Sequence, residues 1–372
     1  AEFVLSVVPQ ERADDIIYFD PGDIERPIGL NMLEMDPAHP EQKTMIIDEL
    51  FGIMDKLYNL KETGGPMFEK YFKNSLYLLL DDYEHDIPTI SDISRVLNDD
   101  NYRADKLSRE KNPLVKEFWQ LEAEKATGEQ SLSSFSPYIT SKLNNFVFNE
   151  FLRPIINQKK SAFNFRDIMD SSKILVVNLS KGKIGDLNAN FIGMLIVGKL
   201  LRAALSRIDI QDERARTDFY LYMDEFQNFT TDSIATILSE ARKYRLDMVI
   251  AHQFIKQLKE NIRDAVFGNV GSIITFRISP DDAEFMKNKF APVFSEQDLM
   301  NIDNLNAYVS LLVNGQTTRP FNVKIETERV FGAGLPDAAA ALREMSRLKY
   351  GRPREEVERE IMEGRAAVRS EV

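Results

Sequence analysis

The spacing of hydrophobic residues changes along the chain and divides it into segments of different type. Ile16 to Phe19 form a short apolar run, which Asp20-Pro21-Gly22-Asp23 closes with a turn sequence. From Thr44 to about Ile156, apolar residues recur every three or four positions, which predicts helices. Near-continuous apolar runs return after residue 157, as in strands that helices cover on both faces.

Helix start signals and aromatic residues support the helical character of the middle segment. Gly65-Pro66, Pro113 and the capping-box pattern Thr89-Ile90-Ser91-Asp92 each predict the beginning of a helix. Aromatic residues occur there at helical spacing, which predicts core positions before base-stacking platforms: Phe68, Tyr71, Phe72 and Trp119. We therefore predict an all-α insertion.

Strands and helices alternate in the rest of the chain. The predicted elements are strands at 174–179, 219–224, 248–252, 272–276 and 307–313, with helices at 188–207 and 231–244. Such alternation predicts an α/β fold with a doubly wound, mostly parallel sheet. The predicted domains are 1–43 as the first part of the α/β core, 44–156 as the insertion, 157–330 as the rest of the core, and 331–372 as a charged C-terminal helix or tail.

Composition narrows the possible classes of protein. The 372 residues are 43% hydrophobic and 28% charged, which is enough for one large core or two domains. No cysteine is present, so disulfides, thiolate zinc sites and a cysteine nucleophile are excluded. No apolar run approaches the ~20 residues of a membrane span. The net charge of −12 argues against a protein coated in positive charge, but not against a ring motor that grips DNA with a few basic loops.

The densest chemical signal is the apolar run Phe219 to Met223, which ends in Asp224-Glu225. A buried strand that delivers two carboxylates to the edge of a sheet is typical of a Walker B strand. The first carboxylate, Asp224, would hold Mg²⁺ through water, and the second, Glu225, would deprotonate the water that attacks a γ-phosphate. Gln253 ends the next apolar strand and can reach the same edge. The pattern indicates an NTP-hydrolysing motor.

A phosphate-binding loop that would match this strand is missing from the 372 residues. Gly193 to Lys199 satisfies G-x-x-x-x-G-K, but Leu200 follows where Ser or Thr is needed. This segment also lies in an apolar-periodic run from about Phe191 to Leu205, which predicts a helix. Because the chain begins with Ala1 and not Met, we expect the loop to lie upstream.

In this order the segments resemble the motor domain of type IV secretion coupling proteins, the TraD/TraG-like branch of the HerA–FtsK DNA-pumping ATPases. The resemblance covers roughly residues 10–330. It rests on Glu11 to Pro21, the helical insertion, Leu221 to Phe229, Glu240-Ala241-Arg242-Lys243 and Ala251-His252-Gln253. It implies a RecA-like core interrupted by an all-α domain.

The resemblance also implies site residues and partners. Asp224 matches the Mg²⁺-associated carboxylate, Glu225 the catalytic carboxylate and Gln253 the polar sensor of the γ-phosphate. Arg242 matches an arginine that reaches the nucleotide of a neighbouring subunit, and Arg277 is a weaker candidate for that task. ATP and Mg²⁺ are the implied cofactors. The implied partners are DNA, further copies in a homo-hexamer, and relaxase or secretion-channel components. The parent protein would be cytoplasmic or held at the cytoplasmic face of the inner membrane by segments absent from this chain.

Plainer interpretations of these residues remain open. Asp224 and Glu225 could be a solvated pair at a strand end, Gln253 a buried amide, and Arg242 a surface arginine paired with Glu240 or Asp247. Lys181 and Lys183, with glycines beside them at a strand end, could form a DNA-gripping pore loop or an ordinary solvated turn.

Two further functions compete with a DNA-pumping ATPase. The first is a non-hydrolysing module that docks DNA or relaxase, which the missing phosphate loop favours. The second is a metal-dependent nuclease, which would need three or more converging carboxylates where the sequence offers one clear pair.

Overall fold

A computed structural model describes residues 1–128, 131–231, 234, 238, 240–327 and 334–366. Its strands are β1 (Ile16–Phe19), β2 (Ile174–Val177), β3 (Phe219–Met223), β4 (Leu246–Ile250), β5 (Ile273–Thr275), β6 (Asn306–Ser310), β7 (Leu312–Val313), β8 (Gln316–Thr317) and β9 (Phe321–Lys324).

The described helices follow the predicted alternation. They are α1 (Glu2–Ser6), α2 (Gln42–Tyr58), α3 (Leu60–Thr63), α4 (Gly65–Asp81), α5 (Ile90–Asn98), α6 (Asp100–Arg109), α7 (Pro113–Glu117), α8 (Leu132–Val147), α9 (Arg153–Ile156), α10 (Phe165–Asp170), α11 (Lys181–Ile184), α12 (Asp186–Ser206), α13 (Glu260–Asn269), α14 (Pro280–Phe290), α15 (Glu296–Met300), α16 (Pro336–Tyr350) and α17 (Arg354–Ala366). Short 3-10 turns occur at Gln10–Asp15, Arg207–Asp209, Glu213–Ala215, Phe226–Asn228, Ala241–Tyr244 and Ile255–Gln257, and a π-helix at Phe118–Ala123.

The chain folds into two compact units. The first comprises residues 8–211 and 340–372, and the second comprises 2–7 and 212–339. The predicted insertion, 44–156, contains no strand in its described residues and lies in the same unit as β1 and β2. Its bounds as a separate domain, and those of the other three predicted domains, stay a prediction.

The first unit joins two parallel strands to a helical body. β1 pairs with β2 in parallel, with Ile16 opposite Ile174. Tyr18 donates its backbone N–H to Ser346 Oγ of α16 at 2.7 Å, so a helix side chain satisfies a donor of β1. The helical body has an aromatic core in which Phe68, Tyr71, Phe72 and Trp119 are at most 1% exposed. These four residues are core residues, as predicted.

Local signals set the helix starts where the sequence predicts them. α4 begins at Gly65 with proline in its first turn, and α7 begins at Pro113. The predicted capping box of α5 forms, since Thr89 N–H donates to Asp92 Oδ2 at 2.8 Å. This hydrogen bond gives a partner to a backbone N–H at the start of α5, where the helix itself supplies none.

The second unit contains the parallel pair β3 and β4 and an antiparallel sheet of β5, β6 and β9. The described strands form separate small sheets, parallel in the β1–β2 and β3–β4 pairs and antiparallel where β6 pairs with β5. Two helices, α14 and α15, connect β5 to β6. The chain therefore changes direction three times between these strands, where a single connecting helix gives two changes, and β6 runs opposite to β5. The small core around Phe290 includes Ile255, Ala283, Met286 and Leu299.

Solvent reaches one face of the β3–β4 pair. Along β3 burial alternates, with Tyr220 58% and Tyr222 72% exposed, and Val249 of β4 is 48% exposed. The sequence predicts strands covered on both faces, and this face differs from that expectation. Of the predicted helix 231–244, six residues lie outside those described, and its last four form a 3-10 turn, Ala241–Tyr244. In the described part of the chain, no helix is long and apolar enough to cross a bilayer.

Candidate functional site

Two parallel strand ends bring the predicted residues together. Tyr222 lies opposite Val249 and Met223 opposite Ile250 in the β3–β4 register. Beyond the strands, Ala251 N–H donates to Met223 O at 2.8 Å, and Phe226 N–H donates to Ala251 O at 3.1 Å. These bonds hold the two chains side by side past their last strand residues. The segments that carry Asp224-Glu225 and Gln253 therefore leave the pair at the same edge.

Both carboxylate oxygens of Glu225 accept hydrogen bonds from side-chain amides. Gln253 Nε2 donates to Oε1 at 2.6 Å, and Gln227 Nε2 donates to Oε2 at 2.6 Å. A carboxylate has about four lone-pair sites, so two acceptor positions stay open for water. The structure thus joins Glu225 and Gln253, two residues that are 28 positions apart in the sequence.

A strained backbone turn orients Glu225. Its φ of 52° and ψ of 40° lie in the left-handed region, which costs a residue with a side chain on the order of 1 kcal/mol. Its N–H donates to Asp224 Oδ1 at 2.9 Å, which supports the turn.

Asp224 is exposed and has acceptor positions left after its bond to the Glu225 N–H. In the described residues, no three histidine, aspartate or glutamate side chains gather into a metal site. Mg²⁺ commonly binds through one or two carboxylates, waters and substrate phosphates, and an exposed Asp224 fits that mode.

Gln227 was not predicted from the sequence. It is 8% exposed, and within the described part of the chain its buried Oε1 has no hydrogen-bond partner, whereas its Nε2 donates to Glu225. A buried acceptor without a partner is costly unless a water or substrate group supplies a donor. An amide two residues after a carboxylate is the sequence signal, but it becomes meaningful only with the left-handed turn at Glu225.

His252 lies behind this edge, between two aromatic rings. Its ring centroid is 5.5 Å from that of Phe226 and 6.4 Å from that of Phe267, both edge-on. Burial lowers the pKa of His252. A neutral imidazole in this position fits packing better than metal binding.

Arg242 lies on the exposed 3-10 turn Ala241–Tyr244. Glu240 pairs with Lys243 at 3.9 Å, and Arg245 pairs with Asp218 at 3.0 Å. Within the described part of the chain, the Arg242 side chain has neither an ion pair nor a hydrogen bond. The pairing with Glu240 or Asp247 that the sequence allows is therefore not observed. Arg277 is exposed and has one long contact, 3.5 Å from Nη2 to Asn304 Oδ1.

Lys181 and Lys183 lie on a one-turn helix, α11, where the sequence suggests a loop. Lys181 is 3.9 Å from Asp186, and Lys183 borders a pocket of about 420 Å³ with Asp20, Asp23 and residues of α16. Gly185 follows with a φ of 83°, which glycine adopts without strain. These lysines belong to the first unit, whereas Asp224, Glu225 and Gln253 belong to the second.

One segment of the chain matches a known protein family. Residues 218–302, which include Asp224, Glu225, Arg242 and Gln253, match the family model described as the TraM recognition site of TraD and TraG. No curated protein matches the sequence.

Solved structures of the bacterial conjugative coupling protein TrwB have the same fold. An unbound TrwB structure matches with a TM-score of 0.57 at 14% identity, covering 87% of this chain and 77% of TrwB. A complex of TrwB with the GTP analogue GDPNP gives 0.59 at 15% identity, covering 87% and 76%. A complex with ADP and Mg²⁺ gives 0.56 at 14% identity, covering 84% and 74%.

The chain therefore has the α/β fold of the TrwB structures. The fold class and the family resemblance predicted from the sequence are both confirmed.

Proposed function

We propose that this chain is the greater part of a hexameric ATPase motor that moves DNA through a conjugation or type IV secretion channel. The observation that carries the proposal is the double amide contact of Glu225 at the common edge of β3 and β4, in a chain with the coupling-protein fold. A carboxylate held this way can accept a proton from a water at a fixed position. Two acidic residues that merely happened to lie at a strand end would need neither the strained turn at Glu225 nor a hydrogen bond from Gln253.

Each residue at the edge has a separate task in the proposal. Glu225 orients the attacking water and accepts its proton, and Gln253 fixes the Glu225 carboxylate and contacts the γ-phosphate or its water. Asp224 would hold Mg²⁺ through water, and the ion would neutralise charge on the phosphates. Gln227 fixes the other Glu225 oxygen through its Nε2.

The phosphate loop must come from outside these 372 residues. The G-x-x-x-x-G-K segment, Gly193 to Lys199, lies within helix α12, so its backbone N–H groups are engaged in the helix and cannot surround a phosphate. Lys199 is 7% exposed, and its ammonium group lies 3.5 Å from Glu34. We expect the missing loop on a strand next to the β3–β4 pair.

Arg242 is the proposed trans residue. An exposed guanidinium that has no partner in the described part of its own chain can reach the nucleotide of a neighbour in a ring. There it would stabilise the charge that spreads over the γ-phosphoryl oxygens. Arg277 is the second choice.

DNA, relaxase and secretion-channel components are the proposed partners, and the cytoplasmic face of the inner membrane is the proposed location. The match of residues 218–302 to a TraM recognition site supports a relaxosome protein as one partner. Lys181 and Lys183 remain candidates for DNA contact.

The proposal is tested in two steps. The 372-residue chain should bind ATP weakly or not at all, because it has no phosphate loop. A longer protein that includes the loop should hydrolyse ATP when Mg²⁺ is present. In that protein Glu225→Gln should nearly abolish hydrolysis while sparing nucleotide binding. The matched control is Glu284→Gln, since Glu284 is an exposed carboxylate whose only described partner is Lys287 at 4.0 Å. Undiminished turnover in Glu225→Gln would refute the assigned role.

A non-hydrolysing docking module is the second candidate, and the missing phosphate loop favours it. If the longer protein also lacks ATPase activity but binds relaxosome protein through residues 218–302, this second function is correct.

A further inference from the structure

Arg242 lies at the opposite end of the β3–β4 pair from Glu225 and Gln253. The turn that carries it, Ala241–Tyr244, comes just before β4, which begins at Leu246. Glu225 and Gln253 instead follow the last residues of β3 and β4. Five residues of a parallel strand span about 13 Å, so Arg242 cannot reach the Glu225 of its own chain. If Arg242 acts on a nucleotide, that nucleotide is bound by another subunit.

Backbone hydrogen bonds join this turn to both strands. Arg245 N–H donates to Arg242 O at 3.2 Å, and Arg245 has a left-handed φ of 55° that ends the turn. Phe219 N–H, at the start of β3, donates to Arg245 O at 2.9 Å. The turn is therefore attached to the first residue of β3 as well as to the first residue of β4.

Arg216, three residues before β3, contacts the turn with its guanidinium group. Its Nη1 donates to Lys243 O, and the guanidinium carbon is 5.6 Å from the centroid of the Tyr244 ring. Arg216 is 7% exposed, which is unusual for an arginine unless its charge has partners. One buried side chain thus contacts the two residues that follow Arg242.

A second side-chain contact beside the turn is more exposed to water. Arg245 Nη1 is 3.0 Å from Asp218 Oδ1, and these two side chains are 38% and 45% exposed. Exposed ion pairs contribute little, because water and salt screen them. The hydrogen bond from Arg216 joins a charged donor to a carbonyl in a buried place, where such bonds are stronger. The orientation of the turn therefore depends on Arg216 more than on Arg245.

The orientation of the turn matters for the task proposed for Arg242. A guanidinium group stabilises the γ-phosphoryl oxygens only from a suitable distance and direction. A misplacement of about 1 Å can slow a reaction about a hundredfold. Arg242 is exposed and its side chain has no partner within the described residues, so the backbone of the turn sets where that side chain starts.

We propose that Arg216 is a positioning residue for Arg242, an inference that rests on the proposed trans role of Arg242. Arg216 does not touch the nucleotide. It binds the Lys243 carbonyl and packs against the Tyr244 ring, and this contact holds Arg242 in the direction of the neighbouring subunit. Arg216 thus serves the site of the neighbour and not the site of its own chain.

Mixed rings of the loop-containing protein separate this role from a purely structural one. Arg216→Met should lower turnover about ten- to a hundredfold with little change in the KM for ATP, because the group that fixes the turn is lost. Mixing it with Glu225→Gln should restore part of the activity. In those rings an Arg216→Met subunit keeps its own Glu225 and receives a well-placed Arg242 from its neighbour. Mixing it with Arg242→Ala should restore nothing, because neither variant supplies the arginine.

Arg214→Met is the matched control, since Arg214 is an exposed arginine two positions before Arg216, and it should keep wild-type turnover. If Arg216→Met does not fold, as judged by circular dichroism, Arg216→Lys takes its place. Lysine keeps the charge but not the planar group beside Tyr244, so turnover should fall several-fold with the same recovery in mixed rings. Wild-type turnover of the folded variant would overturn the proposal. The same holds for absent recovery with Glu225→Gln when native mass spectrometry shows mixed rings.

Hydrogen–deuterium exchange of the 372-residue chain, followed by NMR, tests the contact without any ATPase activity. Arg216→Met should speed exchange of the Arg245 amide by about tenfold, because the turn opens more often, and Arg214→Met should not. Unchanged exchange would overturn the proposal whether or not the protein is a motor. Faster exchange in a protein whose Arg242→Ala variant keeps full activity would overturn the trans role, and with it the positioning role that rests on it.

Discussion

The two glutamines that hold Glu225 should differ in what they contribute to stability. Gln227 is 8% exposed, whereas Gln253 is exposed, yet both donate to Glu225 at 2.6 Å. A hydrogen bond to a charged group contributes about 1.5–3 kcal/mol when it is shielded from water. The unpartnered Oε1 of Gln227 subtracts from that gain, which leaves about 1–2 kcal/mol for Gln227→Ala. For Gln253→Ala the expected loss is under about 0.5 kcal/mol, as for other exposed positions.

Double-mutant cycles measured by urea unfolding would check these values. Each glutamine is replaced by alanine alone and together with Glu225→Ala, and circular dichroism follows the transition. The coupling energy should be at least twice as large for Gln227 as for Gln253. In the protein that carries the phosphate loop, Gln253→Ala should nevertheless impair hydrolysis strongly. Equal coupling energies, or a large stability loss from Gln253→Ala, would refute the reasoning from burial.

Three other predictions concern the single residues Arg242, Lys106 and Asp82. In the loop-containing protein, Arg242→Ala should cut hydrolysis by orders of magnitude with little change in ATP affinity. Mixing it with the Glu225→Gln protein should restore part of the activity, and no rescue despite mixed assembly would contradict a trans role. Lys106→Met removes a 1% exposed ammonium 2.8 Å from Asp82, and the free energy of unfolding should fall by about 1–3 kcal/mol because Arg109 still pairs with that carboxylate. Burial opposes the ionisation of Asp82, but hydrogen bonds from Arg109 and Lys106 outweigh it and hold its pKa below the usual value. The resulting stability is present above about pH 4 and lost as pH falls through the lowered pKa, so Asp82→Asn should flatten the acid limb of the unfolding curve.

Local patterns in the sequence predicted much of the fold. β1 forms over Ile16–Phe19, α12 over Asp186–Ser206 and the capping box at Thr89, because the residues that decide each element are near one another in the chain. The helical periodicity around Gly193 correctly outweighed its resemblance to a phosphate loop.

Part of the candidate site was also encoded locally. Two apolar runs that end in polar residues meet at one edge if their strands are parallel neighbours, and β3 and β4 are. The contact between Glu225 and Gln253 follows from that rule. The roles of Asp224, Glu225, Gln253 and Arg242 in catalysis stay predictions.

Only the tertiary structure decided the remaining features. Gln227 reaches Glu225 because of a left-handed turn that no residue type in Asp-Glu-Phe-Gln demands. The antiparallel direction of β6 depends on how α14 and α15 pack against each other. A cavity beside Lys199 joins segments more than a hundred residues apart. The sequence by itself determined most of the elements and the polar residues that end them, since the hydrophobic period is a property of neighbouring residues. Packing decided which side chains lie close together in the fold. The order of the segments in the sequence does not determine the distances between them.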